Sequence, residues 1–305
     1  MPLFQKSYTT DEINELENLR DIKGLIKALH HPDSDTRLNV VVALGRLSNS
    51  DAIQALINTL QTDPNGSVRY FAAASLGKVG GAESIAPLTQ ALLEHKHNIH
   101  QAAAEALGEI ADRVRNPILF EAATKQLVPL LKANQDVREV VITALGKIRD
   151  PRTTQALATV MAKSFLKPEI RCATEALIRI GKPAVGPLRA MLSEAQDLNA
   201  TAAAYALGRI GDPAAAPTLI EALRHFDDEV RRQAAIALGR LQARLAVPDL
   251  IAALNDNDAP VRAAVATALG DMRAVEAIDT LQSLALYDFQ ASVRQAAEAA
   301  LKKIE

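Results

Sequence analysis

The lone cysteine of this chain, Cys172, marks the one place where nucleophilic chemistry would start. It stands beside Arg171, one helical turn before Glu175 and two before Arg179. Cationic neighbours lower a thiol's pKa and raise its reactivity, so Arg171 and Cys172 make a candidate ligand or thiol site. The competing and favoured reading is a small apolar side chain in packing. The run `HKHNIH` brings together His95, His97 and His100, whose ring nitrogens suit a metal. No His-Glu pair or `HExxH` accompanies them, and they read as turn and surface residues, as do His30, His31 and His225 at helix ends. No Ser-His-Asp order, Cys-His pair, phosphate loop or dinucleotide fingerprint has a workable context; Val79–Gly81 lacks the lysine and preceding strand of a phosphate loop. Asp227 and Asp228 fit helix capping better than acid–base work. No catalytic residue, metal or cofactor is assigned, and enzyme activity stays open.

Non-covalent recognition has more support. Tyr70, Phe71, Tyr205, Arg179, Arg209 and Arg240 recur at matched places of an internal repeat, and rings and guanidinium groups are the side chains that carry most interface energy. The repeat is the phrase `VRxxAAxALG`, with looser copies. Its glycine falls at Gly45, Gly77, Gly108, Gly146, Gly208, Gly239 and Gly270, and Ile178 and Lys302 fill the same slot in two further copies. The steps are 32, 31, 38, 32, 30, 31, 31 and 32 residues, the signature of a stacked repeat array. Between copies lies a second pattern in which apolar residues return every three or four positions, as at Ile53, Leu56, Ile57 and Leu60. Each period therefore predicts two short helices, separated by Asp/Asn/Pro turns that cap and interrupt them. Val230, Ala234, Leu238 and Leu241 share a face of the seventh motif helix. The alanines and Gly239 there let neighbouring helices approach closely.

The motif arginines Arg37, Arg69, Arg138, Arg231, Arg262 and Arg294 open their helices. The first five lie near acidic turns holding Asp35, Asp63, Asp136, Asp228 and Asp258, which predicts a ladder of guanidinium–carboxylate contacts between repeats. His100 and Ala200 interrupt it, and Arg171 arrives one position late. The 38-residue step contains about seven extra residues. There Arg113, Arg115, Asn116 and Phe120 form either a projecting feature or an enlarged loop or lengthened helix with no binding role.

The pattern `DxxVRxxAAxALGxIGD` resembles the short HEAT-like repeats named for phycobilin lyases, over about residues 21–305. That resemblance implies an all-α fold: a right-handed α-α superhelix, or HEAT-like solenoid, of about nine two-helix repeats. Residues 1–20 would be an N-terminal extension with a leading helix, and 21–305 one continuous array. Proteins with such repeats include lyase subunits that attach linear tetrapyrroles to cysteines, proteins of phycobilisome breakdown, and assembly factors. Longer HEAT arrays include DNA-repair glycosylases.

Motif helices of such arrays line a concave face, and the first, second, fifth and ninth positions after the motif arginine point away from the buried stripe. The ninth positions are Arg46, Lys78, Glu109, Lys147, Arg179, Arg209, Arg240, Asp271 and Lys303, a mostly basic strip on a chain of formal charge -2. Tyr70 and Phe71 take the first two slots of the second copy, and Tyr205 the fifth slot of the sixth. The expectation is a non-catalytic protein-binding scaffold or assembly factor using this face, with an acidic protein partner. The alternative is a phycobilin lyase subunit or bilin chaperone, with the basic groove holding bilin propionates. Acidic balance, a pI near 6.3 and the lack of tryptophan argue against nucleic acid. One cysteine excludes an internal disulfide, and neither a signal-peptide start nor an apolar run of about 18 residues is present, so a soluble, cytoplasmic chain without a membrane span is expected.

Overall fold

The computed structural model describes residues 8–94, 98–194 and 198–305. The chain divides into two compact units, one ending at Thr153 and the other running Thr154–Glu305. The division falls inside the fifth repeat period, although the sequence register from Gly146 to Ile178 keeps the usual step.

The first unit contains α1 (Thr10–Asn18), α2 (Ile22–Ala28), α3 (Ser34–Leu44), α4 (Ser50–Thr62), α5 (Gly66–Val79), α6 (Ile85–Ala91), α7 (Ile99–Val114), α8 (Glu121–Leu130) and α9 (Gln135–Ile148). The second contains α10 (Thr154–Lys163), α11 (Lys167–Ile180), α12 (Val185–Glu194), α13 (Leu198–Ile210) and α14 (Ala216–Ala222). It continues with α15 (Asp228–Arg240), α16 (Val247–Ala253), α17 (Ala259–Asp271), α18 (Ile278–Tyr287) and α19 (Ala291–Ile304). From α3 onward the odd-numbered helices carry the arginine–glycine motif and the even-numbered ones the second pattern. Each unit is thus an all-α solenoid of paired helices in two layers.

Short polar residues start the motif helices as expected: the side chains of Asp33, Asn65, Asn134, Asp227 and Asp258 accept hydrogen bonds from the first free backbone amides of α3, α5, α9, α15 and α17. Within each unit motif helices pack on motif helices, α3–α5–α7–α9 and α11–α13–α15–α17–α19. The buried ridge is built from small and branched side chains: Val230, Ala234, Ala235, Ala237 and Leu238 are all buried on α15.

The glycine at the end of each ridge is where the next motif helix comes nearest. A Cβ on Gly239 would stand 2.9 Å from Ala268 Cβ and 3.0 Å from its Cα, and one on Gly208 would stand 2.7 and 2.8 Å from those atoms of Ala237. Gly77 meets Ala106, Gly108 meets Ala144 and Gly270 meets Ala300 in the same way. The loss of helix propensity at glycine, about 1 kcal/mol, is offset by this close approach.

The long third step lengthens α7, which Arg115 ends in a left-handed conformation, and adds a short 3-10 turn, Pro117–Phe120. Phe120 is fully buried. Arg113 folds back to donate to the carbonyls of Gly77 and Gly80 at 2.6 and 2.7 Å. Arg113 thus lies in a lengthened helix and Phe120 in the added turn, and neither projects, because the open carbonyls at the end of α5 and the burial of an apolar ring take them inward.

Replacing Gly239 by valine should lower the unfolding free energy by about 1–3 kcal/mol through overpacking. The exposed Gly186→Ala in α12, whose Cβ would meet nothing within 4 Å, should match the parent or exceed it by up to about 1 kcal/mol. Urea melts of the two variants measure the difference.

Candidate recognition surface

The motif arginines are tied into the turns. Arg37 Nε and Nη2 donate to the Asp63 carboxylate at 2.8 and 3.0 Å, while Nη1 donates to the carbonyls of His31 and Pro32, both at 2.9 Å. Arg69 then takes the Asp63 carbonyl at 2.6 Å and the Glu94 carboxylate. The second unit repeats the device: Arg231 grips Asp256 at 2.7 and 2.9 Å, Arg262 donates to the Asp256 carbonyl and grips Asp288 at 2.7 and 3.0 Å, and Arg294 donates to the Asp288 carbonyl. One aspartate thus joins two arginines, offering its carboxylate to one and its backbone oxygen to the next. The planar guanidinium fork suits this two-point hold.

Of the five acids expected to pair, Asp63 does. Asp256 and Asp288 take the place given to Asp228 and Asp258, because the fork reaches forward to the following turn, 25 or 26 residues on, while Asp258 is occupied in capping α17. The hydrogen bonds to these acids hold the Arg37, Arg231 and Arg262 guanidinium groups above their ordinary value. Asp288 is drawn below the usual carboxylate range by Arg262. Burial works to raise Asp256, but the hydrogen bonds from Arg231 and the Asp258 amide bring it below that range.

The ladder changes where the motif is broken. His100, Ile170 and Ala200 occupy the arginine slot and are buried. Glu169 fills the valine slot of α11, buried, and accepts from Ser164 Oγ at 2.8 Å. Arg171, one position late, is exposed, and Cys172 beside it is half-buried. His95 and His97 lie outside the described residues, and among those described no cluster of metal-ligating side chains occurs.

The ninth-slot residues form a second class of charges. Several are matched by acids: Arg46 with Glu17 at 3.0 Å, Lys147 with Asp112 at 4.0 Å, Arg179 with Glu175 at 3.7 Å and Lys303 with Asp271 at 2.6 Å. Arg209 and Arg240 differ. The Arg209 guanidinium carbon lies 5.6 Å from the Tyr205 ring centre and that of Arg240 lies 6.0 Å from it. Arg209 Nη1 donates to the Tyr205 hydroxyl at 2.6 Å. The structure therefore brings Tyr205, Arg209 and Arg240 together across α13 and α15, with Arg179 on the adjacent α11. Tyr70 and Phe71 belong to the first unit, where their rings meet edge to face at 5.3 Å and Phe71 is exposed.

The sequence reading overlooked a row of rings in the turns. Phe165, Phe226 and Phe289, in the second unit, share one repeat slot thirteen residues before the motif-glycine position, and are 87%, 68% and 97% exposed. Proline, alanine or asparagine holds that slot at Pro32, Pro64, Ala133 and Asn257. Aligning the turns in the same way as the helices would have found them. Open grooves lie between α2 and α4, α4 and α6, and α10 and α12, on the layer of second-pattern helices. No described helix is long and apolar enough to cross a membrane.

The family described as HEAT repeats matches residues 22–108 and 216–302, and that described as PBS lyase HEAT-like repeat matches residues 200–225. A comparison with curated proteins gives no match. Among solved structures, the chain is similar to an engineered protein at 22% identity and TM-score 0.52, covering 98% of this chain and 92% of that one. It is similar to importin beta at 14% and 0.68, covering 97% and 48%, and to Kap121p bound to Nup53p at 14% and 0.66, covering 98% and 40%. This chain spans less than half the length of the latter two. At these identities the likeness is one of fold, a HEAT-like solenoid.

Because the folded Asp256 and Asp288 carboxyls titrate below their ordinary value near 4, the contribution of these two acids is complete above that pH and is lost as pH falls through the folded values. Replacing Arg262 by methionine should cost on the order of 3 kcal/mol at pH 7. It should also flatten the fall in stability below about pH 4, as read from denaturant melts at successively lower pH.

Proposed function

Since the chain belongs to the HEAT-repeat family, we propose that it works as a non-catalytic protein-binding scaffold or assembly factor, receiving its partner across the exposed face of the motif helices. The observation that carries this reading is the division of labour among its cations. The motif arginines Arg37, Arg231 and Arg262 are consumed in holding turns together, whereas Arg179, Arg209 and Arg240 stand exposed at one repeated place on successive motif helices. A face of this kind grips through many modest contacts spread over repeats. In the second unit its cations suit a protein partner with an acidic surface and Tyr205 supplies flat contact area; in the first unit Tyr70 and Phe71 supply such area on their own helix. The fold agrees with this use: Kap121p has been solved holding the extreme C-terminus of Cdc14p and bound to Nup53p.

A second reading, a phycobilin lyase subunit or bilin chaperone, draws on the match over residues 200–225, which contain Tyr205 and Arg209. Bilin propionates would then take the place of partner carboxylates. A red shift or rise in fluorescence when the chain is mixed with free bilin would favour it; an unchanged spectrum would remove it.

Under the scaffold reading, the immobilised chain should enrich one defined acidic protein from its native host. Charge reversal of Arg179, Arg209 and Arg240 to glutamate should reduce that enrichment at least tenfold, about 1.4 kcal/mol, by quantitative mass spectrometry with the fold intact. Equal capture by both chains would contradict it.

A further inference from the structure

We propose that Tyr205, Arg209 and Arg240 form an anchor for an extended acidic protein segment bearing carboxylates at alternate positions; this rests on the scaffold reading and names the chemistry of its partner. Among the described residues neither Arg209 nor Arg240 has a carboxylate partner. Every other ninth-slot side chain of the second unit does or is one: Arg179 has Glu175, and Asp271 and Lys303 have each other. Two uncompensated positive charges are thus confined to α13 and α15, between neighbours that neutralise themselves.

The ring explains how they stand so near each other. Its face attracts cations through the quadrupole, and its oxygen, by accepting from Arg209 Nη1, leaves its own proton to donate outward. Lying 5.6 and 6.0 Å from one ring centre, the two guanidinium carbons are within about 12 Å of each other. Alternate residues of an extended chain place side chains on one face roughly 7 Å apart, a spacing that lets one carboxylate reach each fork. Beside the cluster, Thr201 and Ala202 on α13 and Ala263 and Ala264 on α17 are small and half-buried, while α15 between them carries Gln233 and Arg232, the latter already held by Glu229.

The test uses the full chain and a fluorescein-labelled octapeptide of alternating glutamate and serine, with its glutamine–serine counterpart, in anisotropy titrations at low salt and at about 0.15 M salt. The glutamate peptide should bind and the glutamine peptide should not, with affinity falling as salt rises. Arg209→Gln and Arg240→Gln should each weaken binding about tenfold, about 1.4 kcal/mol. Tyr205→Phe should weaken it less, and Arg224→Gln, outside this strip and with its guanidinium already held by Asp249, should leave it unchanged. Circular dichroism melts confirm that the variants fold. The assignment is overturned if the parent chain does not bind the glutamate peptide, if the double variant binds within twofold of the parent, or if inorganic phosphate displaces the peptide at equal concentration. A double variant that loses the peptide yet still captures the host protein leaves the scaffold reading standing without this anchor as its grip. Peptide binding without any captured host protein has the opposite meaning.

Discussion

Successive motif helices in each unit lie so close that a side chain at the motif glycine has nowhere to go, and the rest of the architecture depends on that distance. Gly208 on Ala237, Gly239 on Ala268 and Gly270 on Ala300 repeat the same contact through the second unit. Small facing residues allow it, and the ridge of valine, alanine and leucine beside them is buried in the same seam. Helix spacing then fixes everything attached to the helices. The turns fall within reach of a guanidinium fork one repeat away, and the ninth slots of neighbouring helices approach closely enough for two arginines to share a ring. On α11 both slots are lost, to Ile178 and Ile170, whereas α7 and α13 keep the close contact at Gly108 and Gly208 without the arginine, so packing and ladder are separable.

Two sets of arginines with the same chemistry have different surroundings. Arg37, Arg231 and Arg262 are nearly withdrawn from water, and their charge is matched by carboxylates and turn carbonyls. Breaking such a pair is costly because the surviving charge is left without a partner. Arg209 and Arg240 are exposed, and what holds them is an aromatic face and a phenol oxygen. Exposed cations of this kind contribute little to stability, which makes their convergence better accounted for by recognition than by folding.

Most of the fold was legible because the repeat places the same side chain in the same environment many times over. The helix pairs, the capping turns and the small-residue ridge all follow from period and composition, and the aspartates and asparagines at Asp33, Asn65, Asn134, Asp227 and Asp258 cap as their chemistry requires. Partner choice was harder to read. Sequence proximity pointed to Asp228 and Asp258, but a long side chain spans to the next turn, and no local signal ranks Asp256 above Asp258. The strip was visible as a row of charges; which members were already neutralised was not, since Glu17 and Asp112 come from other helices. The exposed phenylalanines escaped notice because the turns were read for capping residues and not compared slot by slot.

The close approach of motif helices can be tested by moving a single small side chain. In a double-mutant cycle, Gly45→Ala at the end of α3 places a Cβ against the Ser75 side chain on α5, 2.6 Å from its Cβ, and Ser75→Gly removes the atoms it meets, leaving the backbone 3.2 Å away. If contact at this point sets the helix spacing, the double variant will be more stable than the sum of the single changes by at least about 1 kcal/mol. Additivity within about 0.3 kcal/mol would mean that the two helices do not press on each other there, and the account of the repeat would fail.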